Sequence, residues 1–324
     1  ITPEQARTLL AHDDILAVAA MADAVTRRKW SDDVFYSHPA RVCLAAPCDS
    51  GCRLCVPIAD ARARALAAAD TEPEEMHLLG LPDDWTTVQA ESLLSALRAR
   101  LPGAWIAGFN PADVATLARR DALPPETVAG RLQQAGLDGL LGLAEEIQGP
   151  GRRYLLEAAP HDDVTAACFR AGLVGIATLT YRPETSHESL IAGLDAIRET
   201  QRGRGGYSVF APVPAPPEAL PGEQETPSGY EDMKIIAVSR LFLDNVPHIR
   251  LPWLALGLKM GQVALSFGAD DLGWAPLDAH VRAYSPPTSF SSLAEDELQR
   301  TAAATRRRAV RVDGAWRPRV GATP

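Results

Sequence analysis

With 324 residues, 46% of them hydrophobic and 23% charged, the chain can bury a large core as one α/β domain or as two ordinary ones. A formal net charge of −9 argues against a nucleic-acid partner, because phosphate binding needs a basic surface; Arg152-Arg153 and Arg306-Arg307-Arg308 are short runs that read as solvated faces. No apolar stretch reaches membrane-spanning length, and the opening I-T-P-E-Q-A-R-T-L-L-A reads as a polar helix start rather than a signal peptide, so the expectation is a cytoplasmic protein with no membrane partner.

Apolar runs alternate with helix-period stretches, the pattern of a parallel α/β fold. Residues 3–29 read as two helices, the first opened by Thr2-Pro3 in the cap-then-proline manner. A strand over 33–45 leads into a cysteine-rich loop. A helix (60–70), the strand E-M-H-L-L-G, a helix (85–100) and the strand A-W-I-A-G-F follow. Two helices span 111–135, the second closed by Gly136. Then come L-D-G-L-L-G-L, a helix near 160–171, the strand V-G-I-A-T-L-T-Y, a helix over 185–200 and the strand G-Y-S-V-F-A-P-V. A loop dense in Pro, Gly and Glu occupies 213–229. A long helix (231–245), an apolar stretch around 249–267 and a tail with a helix at 293–305 complete the chain. Six or more strand–helix units favour a β/α barrel over an open sheet, with reactive groups at the C-terminal ends of the strands.

The cysteines carry the strongest chemical signal. Cys48, Cys52 and Cys55 lie in A-P-C-D-S-G-C-R-L-C, a C-x3-C-x2-C spacing, and thiolates are the ligands that iron–sulfur clusters take. A zinc knot that adds Cys43 is the alternative reading of the same run. Cys43 itself falls in the strand-like R-V-C-L-A-A, and Cys168, in T-A-A-C-F-R-A-G-L, reads as a buried helix cysteine. Five cysteines with three inside eight residues do not make a disulfide framework and fit a reducing compartment.

That spacing resembles the radical SAM superfamily, in which three thiolates hold three irons of a 4Fe–4S cluster and S-adenosylmethionine (SAM) chelates the open iron. The resemblance extends beyond the cysteines. L-F-L-D-N-V-P-H-I-R, followed by W-L-A-L-G-L-K-M-G-Q-V-A-L-S-F-G-A-D-D-L-G, is similar to the C-terminal signature of one subfamily. It holds aminofutalosine synthase, dehypoxanthine futalosine cyclase and the tyrosine-using subunit of the deazaflavin cofactor synthase. More weakly, the similarity covers nearly the whole chain. It implies a radical SAM (β/α) barrel, partial or full TIM-like, over residues 31–285, with N-terminal helices (1–30) and a C-terminal helix and tail (286–324). It also implies reductive cleavage of SAM to a 5′-deoxyadenosyl radical, applied to a small-molecule substrate. The tail L-A-E-D-E-L-Q-R-T-A-A-A-T-R-R-R-A-V-R-V-D-G resembles the synthase and cyclase more than the deazaflavin subunit, so the expected activity is of the aminofutalosine synthase type, in menaquinone biosynthesis. An electron donor such as flavodoxin or ferredoxin is implied, with a homodimer or a partner subunit as possible assemblies.

By the same resemblance Gly80, Glu146, Thr178, Tyr181 and Phe210 are candidate cofactor-binding residues, and Arg182, Glu184, Asp244 and His248 are candidate catalytic ones. Each has a plainer reading. Glu146, in A-E-E-I, also suits a helix start. Glu184 suits a helix N-terminus after Pro183, and Arg182 is either a carboxylate or phosphate grip or a surface arginine. His248 is either a proton donor or part of a helix-end network with Asp244 and Asn245. Phe210 packs the barrel or stacks on adenine, and His77 reads as a satisfied strand histidine.

The departures from the family cluster around cofactor and substrate. Leu54 replaces an aromatic residue before the third cysteine, Gly80 stands where the family has Gly-Gly, and Y-R-P-E-T (181–185) lacks the family's His. The segment after Cys55 is about a dozen residues short by comparison with the family. These losses leave open a degenerate paralogue that serves as a partner subunit, beside the zinc-stabilised binding protein.

Overall fold

The structure is a computed structural model that describes residues 1–44, 60–141, 162–214, 229–251, 253–274 and 295–318. It is a partial, TIM-like β/α barrel built from parallel pairings. The strands are β1 (Asp33–Ser37), β2 (Ala40–Cys43), β3 (Glu75–Leu79), β4 (Trp105–Gly108), β5 (Gly175–Tyr181), β6 (Tyr207–Pro214), β7 (His248–Ile249), β8 (Asp271–Trp274) and β9 (Arg308–Arg311). Three three-stranded groups, β2-β3-β4, β5-β6-β7 and β8-β1-β9, are joined into one wall by parallel bridges. Gly139 bridges both Ala107 and Val174, standing in for a strand between β4 and β5, and Arg250 bridges Asp271.

The expected single strand over 33–45 is two strands. His38-Pro39 separates them, and proline cannot donate to a ladder, so the chain changes neighbours there. β1 pairs with β8 and β9, whereas β2 pairs with β3. Neither β8 nor β9 was anticipated from sequence.

The helices are α1 (Pro3–Ala11), α2 (Ile15–Trp30), α3 (Ala61–Ala69), α4 (Thr87–Arg100), α5 (Pro111–Arg120), α6 (Pro125–Gln134), α7 (Asp162–Arg170), α8 (His187–Arg204), α9 (Gly229–Phe242), α10 (Trp253–Ala264) and α11 (Glu295–Ala304). Local chemistry sets their starts. Thr2 and Gln5 form a reciprocal capping box ahead of α1, and Asn110 and Asp113 do the same for α5, each followed by proline in the first turn. Past α6 the backbone turns through Gly136 at φ 114°, where an added Cβ would come within 2.9 Å of Arg98. Among the described residues no helix is long and apolar enough to cross a membrane.

Alternation along the strands sorts side chains into two layers. Val42, Met76, Leu78 and Ile106 pack outward against Leu93, Leu94, Leu117 and Leu132 of the helices. Val34, Tyr36, Ala177, Tyr181 and Phe210 pack outward in a second cluster with α1, α2, α8 and α9. Leu79, Ala107, Leu141 and Trp105 form a small separate cluster on the opposite, inner face. Cys43, His77 and Glu75 share that inner face, set by the register pairs Cys43↔Leu79 and Glu75↔Trp105.

Candidate active site at the barrel mouth

The C-terminal ends of the strands define the mouth, and β2 delivers the chain to it just before the cysteine run. Arg64 of α3, 5% exposed, donates from Nε to the Cys43 carbonyl (3.1 Å) and from Nη2 to the Leu44 carbonyl (3.2 Å). A guanidinium therefore satisfies carbonyls that the strand end leaves over. Nothing in the sequence singled out Arg64, because its role depends on α3 folding back over β2. Cys48, Cys52, Cys55 and Glu146 lie outside the described residues.

Beside that exit, β3 ends at Leu79 and the chain turns at Gly80 with φ 73°. A left-handed backbone of this kind favours glycine and leaves the main chain open to approach. Arg120 of α5 braces the turn by donating to the carbonyls of Pro82 (3.1 Å) and Trp85 (2.8 Å). Next along the mouth, Phe109 takes φ 59° while wholly buried, an uncommon conformation held by hydrogen bonds from its N–H to the Leu78 carbonyl and from the Leu141 N–H to its own carbonyl. The capping residue that follows, Asp113, has its carboxyl pushed up to about 7 by burial, against the pull of the Asn110 N–H and of Arg120.

Inside the barrel, His77 Nε2 lies 2.7 Å from Glu75 Oε1, with both residues below 5% exposed, so His77 is indeed a partnered strand histidine. The second Glu75 oxygen and the Thr178 hydroxyl are enclosed without a hydrogen bond among the described residues. Arg250 pairs with Asp271 at 2.9 Å across β7 and β8. The interior is thus apolar toward Leu79, Ala107 and Leu141, and polar at Glu75, His77 and Thr178.

Four expected site residues sit elsewhere. Phe210 is fully enclosed in the outer sheet–helix layer, so its ring offers no free face to an adenine. Tyr181 points into the same layer, where its hydroxyl donates to Asp232 Oδ1 at 2.5 Å. His248 opens β7 and therefore lies at the N-terminal end of the barrel, opposite the mouth; Trp30 and Trp316 stack on its two faces. A proton donor to a substrate at the mouth cannot act from that position. Asp244 is exposed in the α9–β7 connection on the same side, where its backbone carbonyl accepts from Lys29 Nζ at 2.8 Å. This C-terminal block thus builds the floor: Asp270, wholly buried, holds Arg240 and lies 2.8 Å from His248 Nδ1. Burial raises the Asp270 carboxyl, but Arg240, His248 and the Ile249 N–H together more than offset this and hold it below the usual range.

Arg182 and Glu184 follow β5 at the mouth end. Glu184 is exposed, and the Arg182 N–H donates to Thr185 Oγ1 at 2.8 Å, which closes the turn into α8. Among the described residues no group of three His, Cys, Asp or Glu side chains is placed to hold a metal.

Known proteins resemble this chain in sequence and in fold. A family profile described as the CofH/MqnC C-terminal region matches residues 217–307. Over 330 aligned positions the chain is 28% identical to the 5-amino-6-(D-ribitylamino)uracil–L-tyrosine 4-hydroxyphenyl transferase of Methanoculleus marisnigri, covering 91% of this chain and 90% of that protein. It is 26% identical over 306 positions to the cyclic dehypoxanthine futalosine synthase of Streptomyces coelicolor, covering 87% and 76%. The FeFe-hydrogenase maturase HydG from Carboxydothermus hydrogenoformans superposes with a TM-score of 0.66 at 12% identity, over 98% of this chain and 77% of that one, a likeness of fold.

Proposed function

We propose that this chain is a divergent member of the radical SAM group that holds the futalosine and deazaflavin-cofactor enzymes, an enzyme that carries a 4Fe–4S cluster on Cys48, Cys52 and Cys55 and uses SAM. The observation that carries the reading is the course of β2, which brings the chain to the barrel mouth at Cys43 and Leu44, beside the Gly80 turn. The donor set suits the group. Three cysteines stand within eight residues, whereas the Cys168 thiol is pushed up to about 12 by burial and is no thiolate ligand. When bound, the cluster and SAM supply radical chemistry that side chains lack.

The chain's own residues bind, orient and shield. Leu79, Ala107 and Leu141 line the inner wall and keep water from a reacting carbon. Gly80, at φ 73° just past β3, would let SAM approach the main chain closely. Thr178 and the free oxygen of Glu75 offer hydrogen bonds to a polar small substrate within the barrel.

For the substrate step we assign the aminofutalosine synthase type, radical addition to an enol-ether double bond, on the strength of the C-terminal tail. A second reading is transfer of a hydroxyphenyl group from tyrosine, favoured by the 90% coverage of the Methanoculleus marisnigri relative. A flavodoxin or ferredoxin is the electron donor in either case.

Anaerobic reconstitution with iron and sulfide, followed by electron paramagnetic resonance with and without SAM, tests the assignment. A reduced-cluster signal that shifts on adding SAM, together with formation of 5′-deoxyadenosine, is expected. A signal indifferent to SAM would leave a degenerate partner subunit, and tightly held zinc without iron would replace the enzyme by a zinc-stabilised binding protein. Turnover with an enol-ether nucleoside or with tyrosine then separates the two substrate readings.

A further inference from the structure

On the helical side of β5, away from the barrel interior, a cleft of about 340 Å³ opens between the end of α1, the β5–α8 turn and the start of α9. That volume stands at the small end of the range for organic ligands. Leu10 and Leu190 give it an apolar wall and Tyr230 an aromatic one, while Arg182, Lys234 and Glu231 bring charge.

The cations are unusual in their partners. Lys234 is 9% exposed; its ammonium donates to the Leu10 carbonyl at 3.0 Å and stands 4.9 Å from the centroid of the Tyr230 ring. Among the described residues it meets no carboxylate. Asp232, two residues earlier, is engaged by the Tyr181 hydroxyl. The Arg182 guanidinium likewise has no hydrogen bond or ion pair among the described residues, since only its backbone N–H is used in the turn. Buried charges are ordinarily paired, and among the described residues neither this ammonium nor this guanidinium has a carboxylate partner, so an anionic ligand suits the pair. The apolar and aromatic walls beside these cations favour an organic carboxylate over inorganic phosphate.

We propose that this cleft binds a small organic monocarboxylate, its carboxylate held by Arg182 and Lys234 and its apolar body against Leu10, Leu190 and the Tyr230 ring. Arg182 suits the role because its planar fork matches a carboxylate with two parallel hydrogen bonds. The site uses helices and a turn outside the barrel interior, so it needs neither the cluster nor SAM, and its fate is separate from that of the proposed reaction.

The test is isothermal titration of the full chain, prepared without cluster, against 3-phenylpropionate and its neutral amide. Saturable binding of the carboxylate and none of the amide is expected. Arg182→Gln should weaken it about tenfold, the scale of a lost charge-assisted pair. Ala11→Trp, an exposed cleft-wall position given an indole, should abolish binding with an unchanged unfolding midpoint. If Arg182→Gln does not fold, Lys234→Met replaces it with the same expectation. The proposal is overturned by absence of binding to the wild-type chain, by equal binding of the amide, or by an affinity that both folded variants retain.

Discussion

Trp316 lies flat on the imidazole of His248, with ring centroids 4.8 Å apart and planes 8° from parallel, and Trp30 covers the other face at 4.6 Å and 15°. Gly314, two residues before Trp316, is pressed against Trp105 at the start of β4, so the segment around 312–318 crosses beneath the barrel as its floor. Trp316→Ala should cost about 1–3 kcal/mol, less than a fully buried tryptophan because the residue is half-buried. Gly314→Ala should also destabilise, by about 1–3 kcal/mol, since the added Cβ would come within 2.1 Å of Trp105 Nε1. Urea unfolding reads both, and iron content after reconstitution should stay at the wild-type level.

Arg240 and Asp270 are both wholly buried and paired, with His248 on the second Asp270 oxygen. Removing one member leaves an uncompensated charge, so Asp270→Asn should lose about 3–5 kcal/mol. His248→Phe keeps a ring in the stack and loses one hydrogen bond, at a cost of about 1–2 kcal/mol. Deoxyadenosine formation per folded molecule should be unchanged in the His248 variant. A large drop in turnover without a change in stability would return His248 to the chemistry.

Single replacement of Cys48, Cys52 or Cys55 by alanine should remove the cluster, seen as loss of iron, of visible absorbance and of SAM cleavage. Cys43→Ala and Cys168→Ala should keep all three signals. Loss of metal in the Cys43 variant is instead the mark of a four-cysteine zinc site.

At Gly80 the backbone stands at φ 73°, a region that costs a residue with a Cβ about 1–2 kcal/mol. Gly80→Ala should lower stability by that amount and weaken SAM binding more than it weakens cluster assembly. Equilibrium dialysis with labelled SAM against iron content separates the two effects.

Burial raises the Asp232 carboxyl from 3.8 to about 6; the Tyr181 hydroxyl pulls it down and Glu231 adds to the rise. Between those values the folded protein keeps a proton that the unfolded chain has released. Asp232 therefore contributes most at low pH, and that contribution is lost as pH rises through about 6. Asp232→Asn keeps an acceptor for Tyr181 and cannot ionise. Its stability relative to wild type should rise by up to about 3 kcal/mol between pH 4 and pH 7, measured by urea unfolding at each pH.

Much of this was legible in the residues. Thr2-Pro3 and Asn110-Pro111 mark helix starts through bonds within one turn, and the alternating apolar runs lie where β3, β5 and β6 form. What stayed hidden depends on distant partners. R-A-V-R is a strand only because it lies beside β1, and nothing in four partly exposed residues says so. The block around His248 looked chemical because it resembles a family signature, but its polar side chains serve burial: Asp270, 22 residues on, turns it into a floor. Arg64 was invisible for the same reason, being ordinary until α3 lays it over the end of β2.

β1 lies between β8 and β9, and Arg308 reaches Asp33 across 275 residues of chain. A strand made that far ahead of β8 and β9 thus waits for its neighbours until the chain between them has emerged. During that wait both of its edges offer unpaired backbone to other nascent chains. Pairing β1 with β8 and β9 comes late and over a long loop, the kind of contact that slows folding. Recovery of native protein should depend on how well those early strand edges are kept from one another, through dilution, low temperature or a chaperone, more than on the strength of any single bond in the finished barrel.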